Sequence, residues 1–252
     1  MVIDSMADTK ILISQQAPSN SAAYSALEEK FGAKIEFKPF YLIEPLSSRE
    51  FRAQRINIPD FTAVTFSSRH AIDAFFKLCE ELRIKVPETM KYFCTTEAVA
   101  MYLQKHIVYR KRKIFFGNGT ADSILSQIGT KHQKETFLIT SSASTASDTF
   151  SKLFTENGLN FKTAAVIKSV SQDLKELDLH QYDVLVLHNA ADIKALKDNF
   201  PDFVQGDLKI ISYGRSVVRS MEAEGLKAVI QAPTPDVPSV AKAIEEYLKQ
   251  YC

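Results

Sequence analysis

In TAVTFSSRHAIDAFFKLCEELR (62–83) a β-rich run ends in the polar turn Ser67-Ser68-Arg69 and passes directly into a helical pattern. The run through Ala63, Val64 and Phe66 is apolar on both of its alternating faces, as suits a parallel strand covered by helices on two sides. Ile72, Phe75, Phe76 and Cys79 then recur at three- and four-residue spacing, so the stretch is amphipathic and Cys79 reads as core packing. The same β-rich run followed by a helical pattern recurs along the chain. Runs of this kind are KILISQ (10–15), KYFCTT (91–96), KIFFGN (113–118), ETFLITSS (135–142), YDVLVLHN (182–189), KIISYG (209–214) and AVIQAP (228–233). A second clear helix, SDTFSKLFTENG (147–158), stops at Gly158. Alternation of strands and helices means an α/β fold with parallel sheets.

Two segments break the rhythm. KIEFKPFYLIEP (34–45) and NFKTAAVIKSV (160–170) are long, extended and not closely followed by a convincing helix. Read as strands that pass between lobes, they make residues 1–40 with 171–252 one discontinuous lobe and residues 41–170 the other. The halves also echo each other. TFSSRHAIDAFF (65–76) resembles VLHNAADIKALK (186–197) at an offset of 121 positions, and YFCTTEAVAMYL (92–103) resembles SYGRSVVRSMEA (212–223) at 120. That spacing suits two duplicated lobes, not a solenoid of short units. The expected architecture is two similar parallel-sheet lobes, each a three-layer α/β/α stack, joined by two extended strands around a central cleft.

Composition narrows the function. With 31 basic and 30 acidic residues, the net charge of +1 gives no electrostatic reason to expect nucleic acid or a membrane surface as partner. The segment MVIDSMADTK has no basic stretch leading into an apolar run, and no uncharged apolar segment has the length of a membrane span. Cys79, Cys94 and Cys252 are few and unpatterned, which fits a reducing compartment; the expectation is a cytoplasmic, monomeric protein.

Several familiar chemistries find no support. GNGTAD (117–122) begins like a dinucleotide fingerprint but has Asp122 where a third glycine belongs. Neither a G-x-x-x-x-G-K phosphate loop nor a G-x-S-x-G nucleophile elbow occurs. His70, His106, His132, His180 and His188 are scattered, and Cys79 and Cys94 have no C-x-x-C partner, which argues against a metal site. The basic run RKRK (110–113) reads as a solvated edge, because four adjacent residues cannot all face one ligand.

What remains lies where strands end and helices begin: Ser67-Ser68-Arg69, Cys94-Thr95-Thr96, Ser141-Ser142, His188-Asn189 and Gly214-Arg215-Ser216. In parallel sheets these turns gather at the carboxyl edge, where ligands of open α/β folds bind. Ser, Thr and Asn there also cap helices, and capping alone accounts for any one of them. Taken together, several helix amino-termini with free N–H groups suit a ligand rich in carboxylates. No general acid–base pair or nucleophile stands out, so the chemistry should rest on positioning the substrate.

The ordered set AVTFSSRHAIDAFF (63–76), YFCTTEAVAMYL (92–103), GNGTADSILSQI (117–128), LITSSASTASDTFSKLFTENGLNFKTAAVIKSV (138–170), YDVLVLHNAADIKAL (182–196), IISYGRSVVRSMEAEGLKAV (210–229) and PDVPSVAKAIEEYLKQ (235–250) resembles the uroporphyrinogen-III synthase family over nearly the whole chain. The resemblance implies a cofactor-free reaction on hydroxymethylbilane, a linear tetrapyrrole with several carboxylates. Water is lost, the terminal ring is inverted through a spiro intermediate, and the macrocycle closes. By family position the binding set is Ser67, Ser68, Thr95, Thr96, Asn189, Gly214, Arg215 and Ser216, joined by Arg69 and Ser141 from the strand-end reading. Where the family usually has a tyrosine on the returning strand this chain has Ile167, and Val217, Cys94, Glu97 and Asn189 also depart from its pattern. Tyr213, directly before Gly214, is the substitute phenol. Two alternatives stay open: a catalytically weak relative that binds a tetrapyrrole, and a two-lobed small-molecule sensor.

Overall fold

The computed structural model describes residues 9–143 and 149–251, with the side chains of residues 149, 215 and 216 outside that description. The chain divides into two compact units, one built from the segments up to Leu42 and from Val170 onward, the other from Ile43–Ser169. The first unit begins with β1 (Lys10–Ile13), α1 (Ala22–Phe31) and β2 (Lys34–Phe37). There follow β3 (Tyr41–Pro45), α2 (Ser48–Ala53), β4 (Ala63–Phe66), α3 (Arg69–Glu81), β5 (Lys91–Cys94), α4 (Glu97–Tyr102) and β6 (Ile114–Phe116). The second unit ends with α5 (Ala121–Ile128), β7 (Thr136–Ser142), α6 (Thr149–Glu156) and β8 (Asn160–Ser171). The first unit then resumes with β9 (Val184–Leu187), α7 (Ala190–Asn199), β10 (Lys209–Tyr213), α8 (Arg215–Ala223), β11 (Ala228–Ala232) and α9 (Val240–Tyr251).

The first unit's sheet has the order β11-β10-β9-β1-β2, and the second unit's has β3-β8-β7-β4-β5-β6. Neighbours run parallel, with Ile11 opposite Val184 between β1 and β9, and Phe66 opposite Cys94 between β4 and β5. The exception is β3, which runs against β8, the Gln172 N–H donating to the Phe40 carbonyl at one end and the Leu46 N–H to the Val166 carbonyl at the other. Successive strand residues point to opposite faces, so each sheet feeds two cores. In the first unit Ile11, Ile13, Val184 and Val186 pack with Leu27, Ile244 and Leu248 of α1 and α9. Leu12, Leu185 and Leu187 turn the other way, onto Ile193, Leu196, Val217 and Met221 of α7 and α8. In the second unit Val64, Phe66, Tyr92 and Cys94 meet Phe75 and Leu78 of α3 and Val99 of α4. Ala63, Phe93, Phe137 and Ile139 meet Ile124, Ile128 and Phe154 of α5 and α6. Each unit is therefore the three-layer α/β/α stack that the runs apolar on both faces predict.

One expectation needs correction. Segment 34–45 is not a single passing strand but two, β2 and β3, which belong to different sheets. Pro39, which has no N–H to donate to a ladder, lies in the break, and Phe40 is fully buried in the first unit's core. A helix also follows closely. α2 is too short for periodicity to reveal, yet a Ser47–Glu50 capping box holds its first turn and Phe51 anchors it. By contrast β8 is one uninterrupted strand, and where it re-enters the first unit the Gln172 N–H donates to the Phe40 carbonyl at 2.8 Å.

Candidate active site

In the second unit the turns after β4, β5 and β6 form one hydrogen-bonded row. Ser68 caps α3 by accepting from the Ala71 N–H at 3.2 Å, and Thr96 caps α4 from the Val99 N–H at 3.3 Å. The Thr95 hydroxyl donates to the Ser67 carbonyl at 3.3 Å, and the Gly119 N–H donates to the Thr95 carbonyl at 2.8 Å. Ser67, Ser68, Thr95 and Thr96 are thus brought together. Ser67 is exposed, and α3 has no acidic residue in its first turn to offset its positive end. The Arg69 guanidinium lies 5.4 Å from the centre of the Tyr102 ring, a cation–π contact, and remains exposed. Ser141 is the next-to-last residue of the neighbouring β7, where the register against β8 shifts and the Ala143 N–H donates to the Ile167 carbonyl at 2.8 Å. The Ile167 side chain packs on the apolar core beneath.

In the first unit the turns after β1, β9 and β10 meet. Asn189 caps α7 by accepting from the Ala191 N–H at 2.7 Å, and its amide also donates to the Tyr41 hydroxyl. Gly214 has φ +119°, which disfavours any side chain, and a Cβ there would lie 3.1 Å from the His188 carbonyl oxygen. The β10–α8 turn therefore presses directly on the β9–α7 turn. The Tyr213 hydroxyl donates to the Pro238 carbonyl at 3.1 Å, and its ring centre lies 5.8 Å from that of His188. For Arg215 and Ser216 only the backbone, the first turn of α8, falls within the described residues.

Three further residues at this edge had escaped the sequence reading as a group. Asp192 is fully buried, and its Oδ2 accepts from the backbone N–H groups of His188 and Asn189 at 2.7 and 3.1 Å. Gln15 and Ser14, just after β1, also hydrogen-bond this carboxylate. Burial pushes the Asp192 carboxyl up to about 6 despite those donors, and burial pushes the His188 imidazole down to about 4. The Asn189–Asp192 spacing was a visible capping-box signal. That β1 delivers Ser14 and Gln15 beside it follows only from the β1–β9 register.

The described residues include no helix long and apolar enough to cross a membrane. No curated protein sequence matches this chain. Uroporphyrinogen-III synthase from Helicobacter pylori has the same fold, with a TM-score of 0.60 at 18% identity over 96% of this chain and 99% of that one. The same enzyme from Thermus thermophilus, in a triple-mutant form, gives 0.57 at 15% identity over 96% and 99%. The sequence model of the uroporphyrinogen-III synthase HemD family matches residues 22–242, a span that takes in strand-end turns of both units. The chain belongs to the uroporphyrinogen-III synthase HemD family.

Proposed function

We propose that this chain converts hydroxymethylbilane into uroporphyrinogen III, losing water, inverting the terminal ring and closing the macrocycle. The observation that carries the reading is the family match across both units, 22–242. The site chemistry agrees with it. Exposed Ser67 and the α3 and α8 amino-termini, which carry no acidic residue in their first turns, suit the substrate's carboxylates. On this reading the substrate-binding residues are Ser67, Ser68, Arg69, Thr95, Thr96, Ser141, Asn189, Gly214, Arg215 and Ser216. The departing hydroxyl leaves a carbon activated by an electron-rich pyrrole, so holding the substrate in the reactive conformation does most of the work.

Tyr213 is the proposed proton donor to the leaving hydroxyl, and to act it must release the Pro238 carbonyl. A weaker catalyst is the second reading, favoured by Ile167, whose apolar side chain stands where the resemblance calls for a phenol. One assay tests both. Hydroxymethylbilane is supplied and the ratio of type III to type I product is compared with the uncatalysed reaction, which gives type I. Enrichment of type III supports the activity, and a ratio equal to the blank refutes it. A Tyr213→Phe variant that loses about tenfold or more in rate identifies the donor, since general-acid help is worth about 10²–10⁴-fold.

A further inference from the structure

The carboxyl edge of the first unit's sheet holds a buried polar relay that carboxylate capture does not use. Ser14 follows β1, His188 follows β9, and Asp192 lies in the first turn of α7. Asp192 and Ser14 are both fully buried. At neutral pH the Asp192 carboxylate is ionised and only accepts hydrogen bonds, so the Ser14 hydroxyl gives its one proton to it. The lone pairs left on Ser14 Oγ then face His188 Nδ1 at 3.5 Å. A ring nitrogen facing an acceptor carries the proton, which leaves the lone pair on Nε2. Among the described residues Nε2 is neither hydrogen-bonded nor a buried atom left unpartnered, and the imidazole is half-buried, so this lone pair opens to solvent. The ring belongs to the same edge as Asn189 and Gly214, whose turn presses on the His188 carbonyl.

A linear tetrapyrrole presents two kinds of group. Its carboxylates need donors, which the turns supply, but its pyrrole N–H groups need acceptors, and the Ser, Thr and backbone N–H groups of the turns offer few. We propose that His188 Nε2 accepts a hydrogen bond from a pyrrole N–H of the bound substrate, with Ser14 and Asp192 as positioning residues that hold the ring in that tautomer. This rests on the reading of the chain as acting on hydroxymethylbilane, and it adds recognition of the pyrrole nitrogen. Such a bond increases electron density on the pyrrole and so assists departure of the hydroxyl. The device belongs to one unit alone, because the repeat offset of 121 places Ser67 opposite His188 and Ala71 opposite Asp192.

The test compares His188→Phe, which fills similar space without an acceptor, with His188→Gln, which restores one. In the 252-residue chain His188→Phe should lower kcat for type III formation about tenfold with KM changed less than about threefold, the worth of one hydrogen bond strengthened in the transition state. His188→Gln should recover most of that loss. Independently of activity, ¹⁵N NMR of the unmodified protein should show His188 protonated at Nδ1, and Ser14→Ala should abolish that preference. Unchanged kcat in a folded His188→Phe variant, or a proton found on Nε2, overturns the proposal while leaving the enzyme reading intact. Failure of the unmodified chain to enrich type III sinks the enzyme reading and this inference with it.

Discussion

The two units use one sheet plan with different materials. Through the repeat offset β4 corresponds to β9 and β5 to β10, and the orders β6-β5-β4-β7-β8 and β11-β10-β9-β1-β2 coincide strand for strand. The fillings differ. Phe51, Phe66, Phe75, Phe93, Phe137 and Phe154 are fully buried in the second unit, whereas Phe40 is the one such phenylalanine among the described residues of the first. The turns differ as well: hydroxyl caps in the second unit, and a glycine crossing with a buried carboxylate in the first. Alternating apolar faces therefore set the topology, and core composition and turn chemistry vary within it.

The largest expected effect tests whether the aromatic core is the second unit's own. Phe137 meets Phe93 and Phe154 edge-to-face, with ring centres at 5.4 and 5.2 Å. Phe137→Ala should cost ~3–5 kcal/mol, a truncation too large for its neighbours to fill. Hydrogen exchange should place that loss in residues 43–169, and Leu185→Ala should weaken the other unit instead. Equal loss of protection in both units from either variant would erase the distinction.

The next effect concerns charge. Asp192, with its folded pKa raised to about 6, contributes stability that is complete below pH ~4 and lost as pH rises through about 6. His188, depressed to about 4, contributes stability that is complete above pH ~6.5 and lost as pH falls through about 4. The two oppose each other over the same window, so their combined effect in the parent is nearly flat. Relative to the parent, Asp192→Asn should lose stability on acidification from pH ~6.5 to ~4, and His188→Gln on going from pH ~4 to ~6, each by on the order of 2–3 kcal/mol. Urea titrations across that range check both, and two slopes of the same sign would discard the pair. Ser67 and Ala71 of the second unit offer no counterpart.

The smallest effect sharpens the turn comparison. Gly214→Ala adds a Cβ at positive φ against the His188 carbonyl and should cost ~1–3 kcal/mol. Cys94→Ala, at the equivalent place in the second unit, removes only a buried thiol from an ordinary strand end and should cost about 1 kcal/mol. Thermal unfolding of the two variants gives the order, and Gly214→Ala should also depress type III formation by displacing the Asn189 turn.

The layered fold was legible because its central strands are buried on both faces, so β4 and β9 stand out as unbroken runs. The edge strands were harder. β2 alternates between exposed and half-buried residues, β3 is exposed from Leu42 to Glu44, and the break at Pro39 was hidden between Phe37 and Phe40. The turn residues were legible one by one, since Ser68, Thr96 and Asn189 are caps that follow strands. Their partnerships were not. Ser14 meets Asp192 and His188 across more than 170 positions, and nothing local in KILISQ announces it.

The Gln172–Phe40 hydrogen bond has a consequence for the order of assembly. The second unit is contiguous and can mature as soon as β8 has been made, whereas the first must pair Ile11 with Val184, partners separated by most of the chain. For an unfolded chain such a closure is slow and entropically costly. Once the intervening unit has folded, its two ends emerge side by side at residues 40 and 172, and the long loop behaves as a short one. During synthesis β1, paired only with β2, therefore keeps its other edge open until residues 184–187 arrive, and that interval is when the nascent protein is most exposed to misassembly.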